Sequence, residues 1–243
     1  MVARNSFGAF LVLGAMVGCG SSSTPEPVTP AAPEVESAAP AAAPSTPSAA
    51  GSATCEQPLL DDLEDGNNQG LVVDNRGGYW FSFKDNAGST LTPEGNFMPA
   101  AGGADGSKHA AHIAGKTGSA GVVYTGMGFN LSNPMAPYDL SGAKGICFKA
   151  KGTGSARVKV PDVNTTPEGG VCKTCYNDFG ADFQLTPDWT EHCFAFADMK
   201  QQPGWGEPHP ALTQTKAFSI QWQVSTPNAE YDVWVDDVRL MCE

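Results

Sequence analysis

No stretch of this chain clusters Lys and Arg: 14 scattered basic residues face 26 acidic ones, for a formal net charge of −12. A nucleic-acid partner needs a surface that tracks phosphates with positive charge, so that class is excluded. Long apolar runs are missing too. The run from Phe7 to Val17 falls short of the ~20 residues that cross a bilayer as a helix. The sequence also lacks extended helix-forming segments, an internal repeat, a G-x-S-x-G elbow and a second C-x-x-C motif. These gaps argue against a helical bundle, a solenoid or propeller, a serine hydrolase of that type and a paired-cysteine zinc site. What is present is glycine and proline, 28 and 19 of 243 residues, beside a hydrophobic fraction of 41%. Such a chain can bury a core, and its punctuation suggests many short strands joined by turns.

The first residues read as an export signal. Arg4 precedes the apolar run, which fits the h-region of a signal peptide. The ending Met16-Val17-Gly18-Cys19 resembles the bacterial lipobox, although Met16 stands where Leu is usual. The resemblance implies cleavage after residue 18 and a lipid anchor on Cys19, whose buried methylenes contribute about 0.8 kcal/mol each. Gly20 follows in place of an aspartate, so the expected destination in a two-membrane cell is the outer membrane. The membrane is contacted through this anchor alone.

Residues 19–54 read as a disordered tether. After the cysteine they are mostly Ser, Pro, Ala and Thr, with three glutamates and no basic residue. Prolines at this density block helix and sheet and favour polyproline II. At ~3.1 Å per residue the tether could reach on the order of 100 Å. The domain that follows is expected to span residues 55–243.

Setting Cys19 aside, six cysteines remain, an even number that points to disulfides in an exported chain. Cys55 and Cys242 bracket the domain and are expected to clasp its ends. Cys147 and Cys193 both alternate out of phase with the phenylalanines beside them (Phe148, Phe194, Phe196), so they can meet on one sheet face. That leaves Cys172 and Cys175. Their flanks, Pro-Glu-Gly-Gly before and Tyr-Asn-Asp-Phe-Gly after, are loop-forming, which favours a structural disulfide over a redox motif or zinc.

Period-two segments broken by turn residues recur along the domain: Gly145–Lys151, Ala156–Val160, Trp189–Phe196, Ala217–Val224 and Tyr231–Leu240, with weaker ones at Tyr79–Phe83, His109–Ala114 and Gly121–Phe129. About eight strands in a domain of this length predict an all-β fold, an antiparallel β-sandwich. Outside the tether and Arg4 the balance is 23 acidic against 13 basic residues.

Five segments occur in order: Leu60-Asp-Asp-Leu-Glu-Asp-Gly66, Tyr79-Trp80, Tyr138-Asp-Leu-Ser-Gly142, Pro187-Asp-Trp-Thr190 and Trp234-Val-Asp-Asp-Val238. This series resembles the jelly-roll domains of the galactose-binding-like superfamily, nearest to carbohydrate-binding module family 11. The resemblance covers residues 60–243 and implies a domain that binds a polysaccharide or other glycan without cleaving it. It also implies a structural calcium ion (Ca2+). The first and last strands of that fold pair, which would bring Asp62 and Glu64 towards Asp236; Glu64 and Asp236 are the leading ligand candidates. A hard cation takes six to eight oxygen ligands and would relieve the repulsion between these acids. The Cys172–Cys175 loop and the segment Gly204-Trp-Gly206 match no defined sugar site.

Strand parity nominates a binding face. In Ala217–Val224, Phe218, Ile220, Trp222 and Val224 share one side, which leaves Gln221 and Gln223 on the other. In Ala156–Val160 the two valines oppose Arg157 and Lys159. These four polar residues would line a face rimmed by Asp178, in the loop Tyr176–Asp178, and by Trp205, set among Gly and Pro as an aromatic platform. Trp222 reads as core. Two other classes stay open: an adhesive envelope protein that binds another protein, and a glycoside-acting hydrolase with catalytic acidic loops. His109 and His112 fall on opposite faces of a strand, which argues against a metal pair.

Overall fold

A computed structural model describes residues 51–242; the expected signal peptide, Cys19 and all but the last four residues of the expected tether lie outside the described residues. Twelve strands follow one another: β1 (Leu59–Asp61), β2 (Trp80–Lys84), β3 (Thr90–Thr92), β4 (Ala100–Ala101), β5 (His109–Lys116), β6 (Thr125–Asn130), β7 (Gly145–Thr153), β8 (Ser155–Val160), β9 (Phe179–Gln184), β10 (Thr190–Ala195), β11 (Ser219–Val224) and β12 (Glu230–Met241). They form two sheets. The first has the order β10-β7-β12-β5-β3, with β1 also paired to β12 and β4 to β5; the second has the order β2-β6-β11-β8-β9. Every strand pair is antiparallel, and the architecture is a β-sandwich of jelly-roll type. No helix among the described residues is long and apolar enough to cross a membrane.

The strong alternating segments of the sequence are the strands of the structure. Strand β9 is not among the segments read from the sequence, although Phe179, Ala181 and Phe183 do alternate with Gly180, Asp182 and Gln184. Strands β1, β3 and β4 are two or three residues long, too short for any period to register. The residues assigned by composition to the end of the tether also have a place here. Ser52 pairs with Asp139, Ala53 is buried, and Thr54 Oγ1 donates to Asp74 Oδ2 at 3.0 Å.

All three disulfides form as cysteine spacing and parity predict: Cys55–Cys242, Cys147–Cys193 and Cys172–Cys175. Cys147 and Cys193 stand directly opposite each other on β7 and β10.

The core lies between the sheets and is built on aromatic rings. Trp80 from β2 stacks on Trp222 from β11 at 5.7 Å, Phe129 from β6 lies 4.9 Å from Trp80, and Phe148 from β7 meets Trp222 edge-on at 5.3 Å. Offset and edge-on pairs of this kind add stability beyond the area they bury. Trp80 brings a polar N–H into this core, and Asp61 answers it: Nε1 donates to Asp61 Oδ2 at 2.6 Å, while Leu63 N donates to Oδ1. The other tryptophans divide by face. Trp189 and Trp234 stand on the outer side of the first sheet with Lys151 Nζ between their rings, 4.8 and 4.9 Å from the two centroids.

Burial pushes the Asp61 carboxyl up to about 6, against the pull of its Trp80 and Leu63 hydrogen bonds. A carboxyl whose folded pKa exceeds its unfolded one is most favourable while protonated, so its contribution falls as pH rises from about 4 through 6. Asp61→Asn removes that dependence. Urea titrations at pH 4 and pH 7.5 are therefore expected to show wild type losing on the order of 2–3 kcal/mol relative to the variant over this interval. An unchanged difference would mean that folding leaves the Asp61 carboxyl at its ordinary pKa.

Candidate binding groove

The outer face of the second sheet carries a groove of about 750 Å³. It begins with the alternation of β6, Thr-Gly-Met-Gly-Phe-Asn: Met127 and Phe129 turn into the core, so Gly126 and Gly128 face outward and leave the middle of the sheet bare. Neighbours close over this gap. A Cβ on Gly126 would collide with the Phe83 ring, and one on Gly128 would sit 2.7 Å from Gln221 Cγ. Parity in β2 puts Trp80 and Ser82 inward and Phe81 and Phe83 outward, and the two outward rings pack 6.1 Å apart. Phe81, Phe83, Ser219, Gln221 and Gln223 line the groove.

One wall is the segment Gly121–Tyr124, which projects Val122 into solvent. Asp85 anchors it. The Asp85 carboxylate accepts from Ala87 N at 2.6 Å, Ser89 Oγ at 2.5 Å and Tyr124 N at 2.7 Å. Burial pushes this carboxyl up, but the hydrogen bonds from Ser89, Tyr124 and Ala87 outweigh it and hold the group below its usual range.

The opposite wall comes from two loops joined by Asn177. Its Nδ2 donates to Gln202 O at 2.8 Å and Trp205 O at 2.7 Å, and its Oδ1 accepts from Gln202 N at 2.9 Å. This buried amide fixes the Gln202–Trp205 turn beside Tyr176, and the Cys172–Cys175 disulfide closes the loop just before it. Trp205 is 47% exposed and Tyr176 63%. With Val122 and Met135 they form an apolar rim around a polar floor.

Set into this wall is a buried ion pair. Lys159 Nζ lies 2.8 Å from Asp178 Oδ2, with both side chains almost fully shielded from solvent. The ammonium also lies 5.6 Å from the centre of the Phe83 ring. The other Asp178 oxygen, Oδ1, is buried without a hydrogen-bond partner among the described residues.

Of the six candidate ligand residues, Trp205, Gln221, Gln223, Lys159 and Asp178 line this groove. Arg157 lies beside it, in a shallower dent of about 220 Å³ shared with Gln202 and Gln223. Its guanidinium is engaged there, Nη1 by Asp182 at 3.1 Å and Nη2 by Lys200 O. Sequence reasoning did not single out Phe81, Phe83, Gly126, Gly128, Asn177 or Asp85. The alternation in β6 was a readable signal, since glycine at every second position removes one face of a strand.

The acidic segments meet at a different place, on the loop between β4 and β5. Glu64 Oε1 accepts from Ser107 Oγ, Lys108 N and His109 N at 2.9, 2.8 and 2.7 Å. Asp236 accepts from Ala104 N and from Asp237 N, both at 2.7 Å, and burial pushes its carboxyl up to about 6. Asp62 turns away to accept from Glu64 N. Lys149 Nζ bridges Asp105 and Asp237 at 2.7 and 2.6 Å. Among the described residues no three Asp, Glu, His or Cys side chains are grouped as around a metal ion. Asp62, Glu64 and Asp236 therefore do not come together as a three-carboxylate set in this arrangement: N–H groups hold Glu64 Oε1 and both Asp236 oxygens, and Lys149 lies against the neighbouring Asp237.

No protein family and no curated protein matches the sequence. Solved structures do match the fold. The family 11 carbohydrate-binding module from Clostridium thermocellum, in complex with a β-1,3-1,4-mixed-linked tetrasaccharide, is 15% identical with a TM-score of 0.54 over 76% of this chain and 94% of that one. The family 11 module of the cellulosomal cellulase Lic26A-Cel5E of the same organism is also 15% identical, with a TM-score of 0.54 over 75% and 92%. A family 30 carbohydrate-binding module is 12% identical, with a TM-score of 0.50 over 67% and 92%. The chain thus shares the β-sandwich fold of family 11 and family 30 carbohydrate-binding modules.

Proposed function

We propose that this chain is a non-catalytic glycan-binding lipoprotein, anchored through Cys19 in the cell envelope and facing away from the cytoplasm. The observation that carries the binding part is the groove itself: exposed Trp205 and Tyr176, with Phe81 and Phe83, surround a floor of amides and one buried ion pair. Rings stack on the apolar faces of pyranoses, while side-chain amides and carboxylates take their hydroxyls. The solved module in complex with a mixed-linked tetrasaccharide has the same fold, which makes β-1,3-1,4-glucan the natural first probe. An adhesive surface would present a flat apolar patch, whereas here Val122, Met135, Tyr176 and Trp205 ring a concavity. A hydrolase would need one protonated and one ionised carboxyl across a cleft. Of the carboxylates lining the groove, Asp178 is tied to Lys159 and Glu168 accepts from Thr166 Oγ1.

The test is affinity electrophoresis of the oxidised full chain in gels containing neutral polysaccharides, with calcium and with chelator. Trp205→Ala and Tyr176→Ala are each expected to weaken retardation about tenfold or more, as truncating an aromatic anchor does. Melting should stay within a few degrees of wild type, because both side chains are largely exposed. Retardation is expected to be equal in calcium and chelator, since Glu64 and Asp236 already hold N–H donors. Full retention of affinity in both aromatic variants would overturn the assignment of this groove. For the anchor, Cys19→Ser is expected to move the protein from the membrane to the soluble fraction; an unchanged distribution would refute lipidation.

A further inference from the structure

Building on the glycan reading, we infer that the groove selects uncharged glycans, through a ligand hydroxyl donated to Asp178 Oδ1 beside the Lys159 ammonium. The inference starts from one unpartnered atom. Asp178 is 3% exposed and its Oδ2 is held by Lys159 at 2.8 Å, yet Oδ1 has no partner among the described residues. A carboxylate oxygen offers only acceptor sites, so what completes this one must bring an N–H or O–H. Leaving a buried acceptor unpaired is costly, and a hydrogen bond to a charged group is worth more than a neutral one. A sugar hydroxyl has the required chemistry: it donates to Oδ1, and the oxygen of its neighbour on the ring can accept from Lys159.

The same geometry disfavours acidic glycans. A uronate carboxylate or a sulfate group offers acceptors only, so set at this point it would leave Oδ1 unpaired and bring negative charge against it. It would also need a free cation, and the cations lining the groove are matched: Lys159 by Asp178 at 2.8 Å and Lys84 by Glu94 at 3.5 Å. Arg157 in the adjoining dent is held by Asp182. Glu168 adds a further negative group to the lining.

Two measurements on the full chain test this. The first is affinity electrophoresis against neutral polymers (β-1,3-1,4-glucan, agarose, galactomannan) and polyanions (polygalacturonate, alginate, sulfated galactan). Retardation by at least one neutral polymer and by no polyanion is expected. Retardation by polyanions would overturn the charge selection while leaving the glycan reading in place, and retardation by none would remove both. The second is the double variant Lys159→Met, Asp178→Leu, which removes both charges together and so should fold with a melting temperature near wild type. It is expected to bind the retained neutral polymer about tenfold to a hundredfold more weakly. Undiminished affinity in a folded double variant would overturn the role of Asp178.

Discussion

Replacing Cys55 and Cys242 together by serine is expected to lower the free energy of unfolding by about 5 kcal/mol, because the bond closes a loop of 187 residues in the unfolded chain. The chain-entropy model relates that cost to loop length, and this loop takes in almost the entire domain. By the same relation the Cys172–Cys175 bond, with a separation of 3, constrains little of the unfolded chain. Its loss should be felt locally, at Tyr176. The comparison is made by guanidinium titration of three proteins: wild type, Cys55→Ser with Cys242→Ser, and Cys172→Ser with Cys175→Ser. A midpoint shift of similar size in both variants would show that native contacts around the sulfurs outweigh loop entropy. Retained affinity in the first variant below its transition would show that the groove does not depend on the clasp.

Gly128→Val is expected to abolish polysaccharide retardation while costing about 1–3 kcal/mol of stability, the range for overpacking a close-fitting site. The added Cβ would lie 2.5 Å from Ile220 O and 2.7 Å from Gln221 Cγ, so backbone as well as side chain must yield. Two further methyls would then displace the Gln221 side chain, which lies over Gly128 and lines the groove. Binding and folding are measured on the same preparation, by affinity electrophoresis and by thermal melting. A folded variant that still binds would move the ligand off the second sheet. Complete unfolding would show that the Gly128 contact belongs to the core of the fold; Gln221→Leu, which alters the floor without touching the backbone, then separates the two effects.

The fold was legible because its strands alternate strongly. Phe218, Ile220, Trp222 and Val224 announce a half-buried strand, and the parity that turns them inward also turns Gln221 and Gln223 outward. The same logic placed Lys159 on the groove face. It placed Arg157 there too, but the strand carries Arg157 past the end of the groove, where Asp182 and the Lys200 carbonyl engage it. Parity fixes a side and says nothing of distance along the strand or of the partner a long side chain finds. Phe81 and Phe83 stayed hidden for a related reason. Trp80 lies between residues of the same class, and a strand with aromatic side chains on both faces shows no preference to read. Asn177 was illegible because its role is to join two loops 25 residues apart in sequence, and loop pairing leaves no periodic trace. The acidic segments show the opposite case. Their convergence was implied by the resembled fold, in which first and last strands pair, while the loop N–H groups that take up Glu64 and Asp236 could be seen only in three dimensions.

The Cys55–Cys242 bond also sets where a pull on the proposed tether would go. Tension arriving at residue 55 passes through the sulfurs into the end of β12, which lies at the middle of the first sheet between β7 and β5. None of the five strands beneath the groove lies on that covalent route. A domain held at residue 55 and loaded at the groove would therefore receive the pull through the middle of its first sheet and pass it to the second across the core between them.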